Sequence, residues 1–458
     1  MKSKFLSCWL LGLLFYFWCP DLCDAEPAIP EQVHISLGER INEMTIMWST
    51  FKSTDLTTVL YGTSPDELNY SENGTWQLLN NKGTYQYIHT VKLKDLLVAT
   101  KYYYRVGDGK IFSRVFDFRT LQKGTDWNPR VVIYGDLGYR DGISAKLLKE
   151  EVANETVDVI IHNGDIAYDL HTNNGRVGDN FMNMIEPIAS RVPYMVSVGN
   201  HEAFNWNYTN YKTRFDMPGT EDNLWYSFKL GPVHFVVMST EVYFFLLYGG
   251  LESVHSHYQW LDDTLRQANL PQNRAKWPWV VTLGHRPMYC SNTALRYCRL
   301  ESNPVRVGLL RNYGLEKLLY EHGVDVAFWG HNHCYERLFP TYDGQVYNGS
   351  FSDPYRNPKA PVHITSGAAG NQEGSTNIRN SRQPWSAFAS IEKGYTRMIP
   401  HNKTHLYLEQ VSAEKNGKII DKFFIIKDKH GSYAKLFPEN AQKRKSKRKL
   451  RIGRLFGL

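Results

Sequence analysis

Long apolar runs are scarce in this 458-residue chain. The one near the N-terminus, Phe5–Trp18, falls short of the roughly 20 residues that a membrane span needs. With Lys2 and Lys4 ahead of it and Cys23-Asp24-Ala25 behind, it reads as a cleaved secretory peptide, residues 1–25, rather than an anchor. Cysteine is also sparse. Three of the six, Cys8, Cys19 and Cys23, lie in that peptide. Of the rest, Cys290 and Cys298 are close enough to clip one loop, which leaves Cys334 either free and buried or joined to another chain. No Gly-rich Walker loop occurs, so nucleotide-driven phosphoryl transfer is not indicated. Excess charge is missing from the body as well. The net charge is +7, but Lys443–Arg454 alone carries eight basic residues and no acid, which leaves the remainder at −1. A nucleic-acid-binding domain is therefore not expected. The basic segment, residues 431–458, reads as a solvated tail open to a polyanion such as heparan or acidic lipid.

Aromatic residues at 14% and hydrophobic ones at 42% mark a globular protein. Its length suggests two domains. Six N-x-Ser/Thr sequons, at Asn69, Asn73, Asn154, Asn207, Asn348 and Asn402, join the secretory peptide in pointing to a glycoprotein, secreted or lysosomal. Residues 26–122 hold short alternating runs, among them Gln32–Leu37, Met44–Ser49, Thr58–Gly62, Tyr87–Leu93, Lys101–Val106 and Arg114–Phe118. They predict an all-β sandwich of about seven strands. With Trp48 and the Tyr102–Tyr104 run it resembles a fibronectin type III domain.

From Arg130 strands alternate with helices, the latter expected near Ile143–Glu155, Phe181–Ser190, Tyr258–Ala268 and Val307–His322. Residues 128–430 read as one α/β domain, a β-sandwich flanked by helices. Five of its apolar runs stop at Gly followed by Asp, Asn or His. They are Val131–Asp136, Asp158–Asp165, Pro193–His201, Trp279–His285 and Val326–His333. A single Asp after a strand is usually a helix cap, but five strand ends sharing one donor chemistry mark a metal site. Asp136, Asp165, Tyr168, Asn200, His201, His285, His331 and His333 suit hard to borderline divalent or trivalent ions. They are too many for one four-coordinate ion and enough for two with a bridging carboxylate. Such pairs, roughly 3.5–4 Å apart, drive in-line displacement at phosphorus.

Gly135-Asp136-Leu137-Gly138, Gly164-Asp165-Ile166-Ala167-Tyr168, Gly199-Asn200-His201-Glu202, Gly284-His285-Arg286-Pro287 and Gly330-His331-Asn332-His333 resemble the five blocks of the calcineurin-like metallophosphoesterases. The first block lacks that superfamily's His, and Tyr168 follows Asp165 by three residues, which is the mark of the purple acid phosphatases. His333-Cys334-Tyr335-Glu336-Arg337 and the N-terminal sandwich are similar to the two-domain, plant-type form and its animal relatives. The resemblance implies an acid phosphatase acting on phosphate monoesters through a metal-bound hydroxide at an Fe(III)–M(II) centre. It implies Asp136, Tyr168 and His333 on Fe(III). Asn200, His285 and His331 would hold a divalent Zn, Fe or Mn ion, Asp165 would bridge, and His201 would serve the substrate side as the catalytic group. Relatives dimerise, which leaves a homodimer open, although Cys334 is badly placed for an interchain bridge. The chain departs from plant-type enzymes after its fourth block, where Met288–Cys298 contains no His. Arg296 is a candidate phosphate contact there. His162, His363, Trp206 and Tyr208 also lie near the blocks. A phosphodiesterase with the same site and a catalytically weak binding glycoprotein are the rival readings.

Overall fold

The computed structural model describes residues 27–439 apart from 204–206, 220–221, 248, 292–301, 377 and 379–382. The expected secretory peptide, the basic run Lys443–Arg454, Trp206, Arg296 and Cys298 lie outside the described residues. Between Glu31 and Arg119, eight strands pair antiparallel in two four-stranded sheets. One runs Glu31–Leu37, Met44–Thr50, Thr84–Leu93, Thr75–Asn81, and the other Tyr70–Asn73, Thr58–Gly62, Lys101–Gly107, Phe116–Arg119. Val33, Ile35, Ile46, Trp48, Val91, Tyr104 and Phe118 fill the space between them. Two strands escape the sequence reading, Tyr70–Asn73 and Thr75–Asn81. Almost all their side chains are exposed, so no apolar alternation marks them.

The second half is built on two larger sheets. The first has the order Tyr194–Ser197, Val159–Asn163, Val131–Tyr134, Gly394–Pro400, His405–Ser412, Lys418–Ile426. The second has the order Tyr226–Leu230, Val233–Val237, Trp279–Leu283, Val326–Trp329, Val362–Ser366, Tyr335–Leu338, Ser386–Ser390. Along the second sheet Phe235, Val237, Trp279, Val281, Val326 and Phe328 point into the core shared with the first sheet. Their neighbours Val236, Val280, Ala327 and Trp329 point the other way, onto Val254, Leu261 and Leu265 of helix Gly250–Ala268. A strand buried on both faces needs such an unbroken apolar run. Helices Ile143–Ala153 and Arg176–Ala189 cover the first sheet with Leu148, Val152, Phe181 and Ile185. The expected helix Val307–His322 is interrupted. Helix Pro304–Val307 and helix Leu315–Glu321 flank a small hairpin, because a Cβ on Gly308 would stand 1.7 Å from the Asn312 carbonyl oxygen. The expected C-terminal hairpin, residues 405–426, forms the edge of the first sheet.

The sandwich is locked onto the second half. Tyr104 donates to the Ser190 carbonyl at 2.8 Å, and Leu37 packs into the larger core. Arg214, buried, donates to Asp179 at 3.0 Å and to Gln32 at 3.1 Å. Cys290 is disulfide-bonded, while Cys334 is free and buried, the first of its two expected states. Among the described residues no helix is long and apolar enough to cross a membrane. The sequons at Asn69, Asn73, Asn154, Asn207 and Asn402 are exposed, but Asn348 is half-buried, with its side-chain oxygen enclosed.

Candidate metal centre

Strands Val131–Tyr134, Val159–Asn163 and Tyr194–Ser197 lie parallel in the first sheet, as do Trp279–Leu283 and Val326–Trp329 in the second. Their carboxyl ends meet. Gly330 donates to the His285 carbonyl at 2.8 Å, and Asp136 N to the Gly164 carbonyl at 3.1 Å. The glycines before Asp136, Asp165, Asn200, His285 and His331 are explained by crowding. A Cβ on Gly164, where φ is +81, would lie 2.5 Å from the His285 ring, and one on Gly330 2.8 Å from the Asp136 carboxylate. Asp136, Asp165, Tyr168 and His331 themselves sit at positive φ, between 49 and 65. Non-glycine residues pay for that conformation, and such strain collects at functional sites.

Two groups of donors face one another. In the first, the Tyr168 hydroxyl lies 2.9 Å from His333 Nε2 and 3.5 Å from Asp136 Oδ1, and His333 Nε2 is 3.4 Å from Asp136 Oδ1. In the second, ligand atoms of Asp165, His285 and His331 all lie within 4.8 Å of one another, with His285 Nε2 3.0 Å from Asp165 Oδ2. Asn200 Oδ1 is enclosed and has no hydrogen-bond partner among the described residues. The histidine rings are set from behind. His285 Nδ1 meets the Asn163 carbonyl at 3.0 Å and His333 Nδ1 the Gly374 carbonyl at 2.8 Å. Donation to a carbonyl fixes the proton on Nδ1 and frees Nε2 to face inward, as in metal-bound histidines.

The electrostatics ask for cations. Asp136 and Asp165 are buried, and among the described residues neither is ion-paired to a lysine or arginine. Burial raises the Asp136 pKa, although the His333 hydrogen bond opposes it. For Asp165 burial also acts upward, but His285, His201 and His331 outweigh it and hold the carboxyl below its usual range. Burial and then the charges of Asp136, Asp165, Glu373 and Glu202 push the Tyr168 phenol well above its ordinary value. A phenolate is stable there only beside a strong cation. The donor set, the enclosed amide oxygen and the inward imidazoles therefore fit a pair of metal ions.

His201 lies beside this cluster. Its Nε2 is 4.0 Å from Asp165 Oδ2 and 3.5 Å from Glu373, and its Nδ1 is 3.0 Å from Asp169 Oδ1. Burial works against its charged form, but Asp169, Asp165 and Glu202 prevail and raise its pKa to about 9. Cations at the cluster would pull that value back down.

Several supporting residues were not singled out from the sequence. The Glu202 carboxylate accepts from the backbone N–H groups of Asp165, Ile166 and Gly199 at 2.8–2.9 Å, which ties the second block to the third. Its place at the end of Gly199–Glu202 was the available signal. Asp169 and Glu373 carry none, since only the fold brings them to His201. Arg286 pairs with buried Glu241 at 2.9 Å, reaches His331 Nε2 at 3.1 Å and lies over the Phe244 ring. His162 and His363 turn into the core. His162 Nδ1 meets the Tyr194 hydroxyl at 2.8 Å, and Trp329 Nε1 donates to His363. Tyr208 is buried.

Three segments of the chain match known family models. Residues 30–120 match the purple acid phosphatase N-terminal domain, residues 129–335 the calcineurin-like phosphoesterase, and residues 360–422 the iron/zinc purple acid phosphatase-like protein C. The chain is 46% identical over 412 residues to an acid phosphatase type 7 of Danio rerio, covering 88% of this chain and 92% of that protein. It is 44% identical over 430 residues to the Homo sapiens acid phosphatase type 7, covering 93% and 97%. Among solved structures, a purple acid phosphatase from yellow lupin (Lupinus luteus) seeds superposes with a TM-score of 0.74 at 24% identity, covering 88% of this chain and 75% of that one.

Proposed function

The chain belongs to the purple acid phosphatase family, and from that we propose that it is a secreted or lysosomal acid phosphatase that hydrolyses phosphate monoesters at a binuclear Fe(III)–M(II) centre. The observation that carries this reading is the pair of facing donor groups, Asp136–Tyr168–His333 and Asp165–His285–His331, with the enclosed Asn200 oxygen beside them. In our assignment Asp136, Tyr168 and His333 hold Fe(III). Asn200, His285 and His331 hold Zn, Fe or Mn, and Asp165 serves both. The ions, when bound, supply an acidified water and positive charge for the phosphate oxygens.

The chain's own residues supply the rest. The carbonyls of Asn163 and Gly374 fix the ring orientations of His285 and His333. Glu202 fixes the loop that carries Asp165 and Tyr168. His201, braced by Asp169 at Nδ1, turns Nε2 toward Asp165, where it would orient the phosphate and give a proton to the leaving alkoxide. The Tyr168 phenol would be a hard donor suited to Fe(III), and charge transfer from it would colour the loaded protein.

Phosphate release from an aryl monoester between about pH 4 and pH 8, beside an aryl diester and beside Asp165→Asn, tests the reading. We expect acid-side turnover of the monoester that falls at least about a thousandfold in the variant. Faster turnover of the diester would make the site a phosphodiesterase. A protein inert to both substrates yet fully loaded with metal would favour a binding glycoprotein.

A further inference from the structure

The fourth block carries more than a metal ligand. Arg286 follows His285 beyond the carboxyl end of strand Trp279–Leu283, which runs parallel to Val233–Val237. The loop after that second strand grips Arg286 from the backbone outward. Arg286 N donates to Thr240 Oγ1 at 2.8 Å, and Arg286 Nε donates to the two Glu241 oxygens at 3.1 and 2.9 Å. Met238 N donates to the Leu283 carbonyl at 2.8 Å and fixes the loop against the strand end. The guanidinium carbon lies 4.3 Å from the centre of the Phe244 ring, within cation–π range. A side chain held at its backbone, its Nε and its face has given up its rotamer freedom in advance, so a ligand does not have to order it.

The held guanidinium reaches the metal cluster. Arg286 Nη1 lies 3.1 Å from His331 Nε2. A guanidinium has only donors, so Nε2 is the acceptor in that contact. His331 is one of the three residues whose ligand atoms converge within 4.8 Å. Arg286 therefore borders the half of the centre assigned to the divalent ion. It has no lone pair to give a metal, and a cation bound there repels it. An anion lying between the two suits both charges. Glu241 does not fill that role, because it is wholly buried on the Nε side, where it directs the guanidinium and stays closed to substrate. The Arg286 side chain itself remains 12% exposed.

We propose that Arg286 is a substrate-binding residue that donates to a non-bridging phosphate oxygen on the His331 flank of the cluster, a proposal that rests on the phosphatase reading above. The planar fork of a guanidinium matches the oxygens of a phosphate. The contact is made to the phosphate and not to the leaving group, so every ester shares it, and so does the product phosphate.

The test reads the binding of inorganic phosphate to the full-length, metal-loaded protein by calorimetry. KM and kcat for p-nitrophenyl phosphate and the metal content are measured beside it. Arg286→Lys keeps a charge for Glu241 but loses the fork. Arg286→Ala combined with Glu241→Gln removes both charges, so no carboxylate is stranded in the core. We expect the phosphate Kd to rise about tenfold to a hundredfold in the double variant, and less in Arg286→Lys. KM rises in parallel, and both metal ions stay bound, since a neighbouring positive charge has been removed and not a ligand. A purely structural role would loosen the metals as well. Where one variant loses metal, the variant that keeps it decides. No phosphate binding by the natural protein, an unchanged Kd in the loaded variants, or loss of metal from both overturns the proposal. If the natural protein binds phosphate through Arg286 yet leaves p-nitrophenyl phosphate intact, the monoesterase reading has failed and the contact stands.

Discussion

His201 has its direction set by Asp169, whose carboxylate lies 3.0 Å from its Nδ1, while Nε2 faces the cluster. A general acid works only when its proton points at the leaving oxygen, and such catalysis is commonly worth 10²–10⁴-fold. His201→Ala should therefore lower kcat by about two to four orders of magnitude with metal content unchanged. Asp169→Asn should lower kcat about tenfold with little change in KM, since the brace is weakened and not removed. Full kcat in Asp169→Asn would show that His201 needs no brace. Five of the proposed metal ligands, Asp136, Asp165, Asn200, His285 and His331, were suggested by the sequence because each closes an apolar run after Gly, whereas Tyr168 and His333 lie two or three residues further on. Asp169, Glu373 and Glu241 were not legible in this way, because their partners, His201 and Arg286, are brought to them by the fold alone.

At the scale of elements, the centre depends on five strand ends packed so tightly that the turns between them exclude side chains. Gly164→Ala forces a Cβ into the His285 ring from a backbone at φ +81. The loss expected is of both metal content and activity, with a lowered thermal midpoint; a fully loaded Gly164→Ala protein would contradict this packing account. Glu202→Gln probes the same crossing. The amide keeps one acceptor oxygen where the carboxylate has two, so its NH2 must face at least one of the three N–H groups, and stability should drop by about 1–3 kcal/mol, read from urea unfolding. The apolar runs that carry these loops were readable because strands buried on both faces leave an uninterrupted signature. Tyr70–Asn73 and Thr75–Asn81 were unreadable for the opposite reason: nearly every side chain faces solvent, and their place is set by pairing with Thr58–Gly62 and Thr84–Leu93. Helix Val307–His322 was misread because apolar spacing continues through Gly308, where only glycine fits against Asn312.

Across the whole molecule, acid pH acts on the core as well as on the reaction. Burial lowers the pKa of His34, His234 and His363 to about 4 and that of His257 to about 3. The unfolded chain binds protons at these groups near pH 6.5, where the folded chain does not. Their contribution to stability is thus complete above that value and is lost as pH falls from about 6.5 towards 4. The thermal midpoint should decline over this window, and His257→Phe should flatten the decline; an unchanged slope would remove His257 from the account. Asp179→Ala strips buried Arg214 of its carboxylate at the contact between sandwich and catalytic half, and should cost about 3–5 kcal/mol. The account as a whole stands on the claim that Tyr168 binds Fe(III) next to a second ion. Metal analysis and the visible absorption spectrum of the purified protein, beside Tyr168→Phe, test that claim most directly. We predict two metal ions per chain, at least one of them iron, and a coloured protein whose charge-transfer band disappears in the variant. A colourless, iron-free natural protein prepared under oxidising, chelator-free conditions, or a band that persists without the Tyr168 hydroxyl, would contradict it.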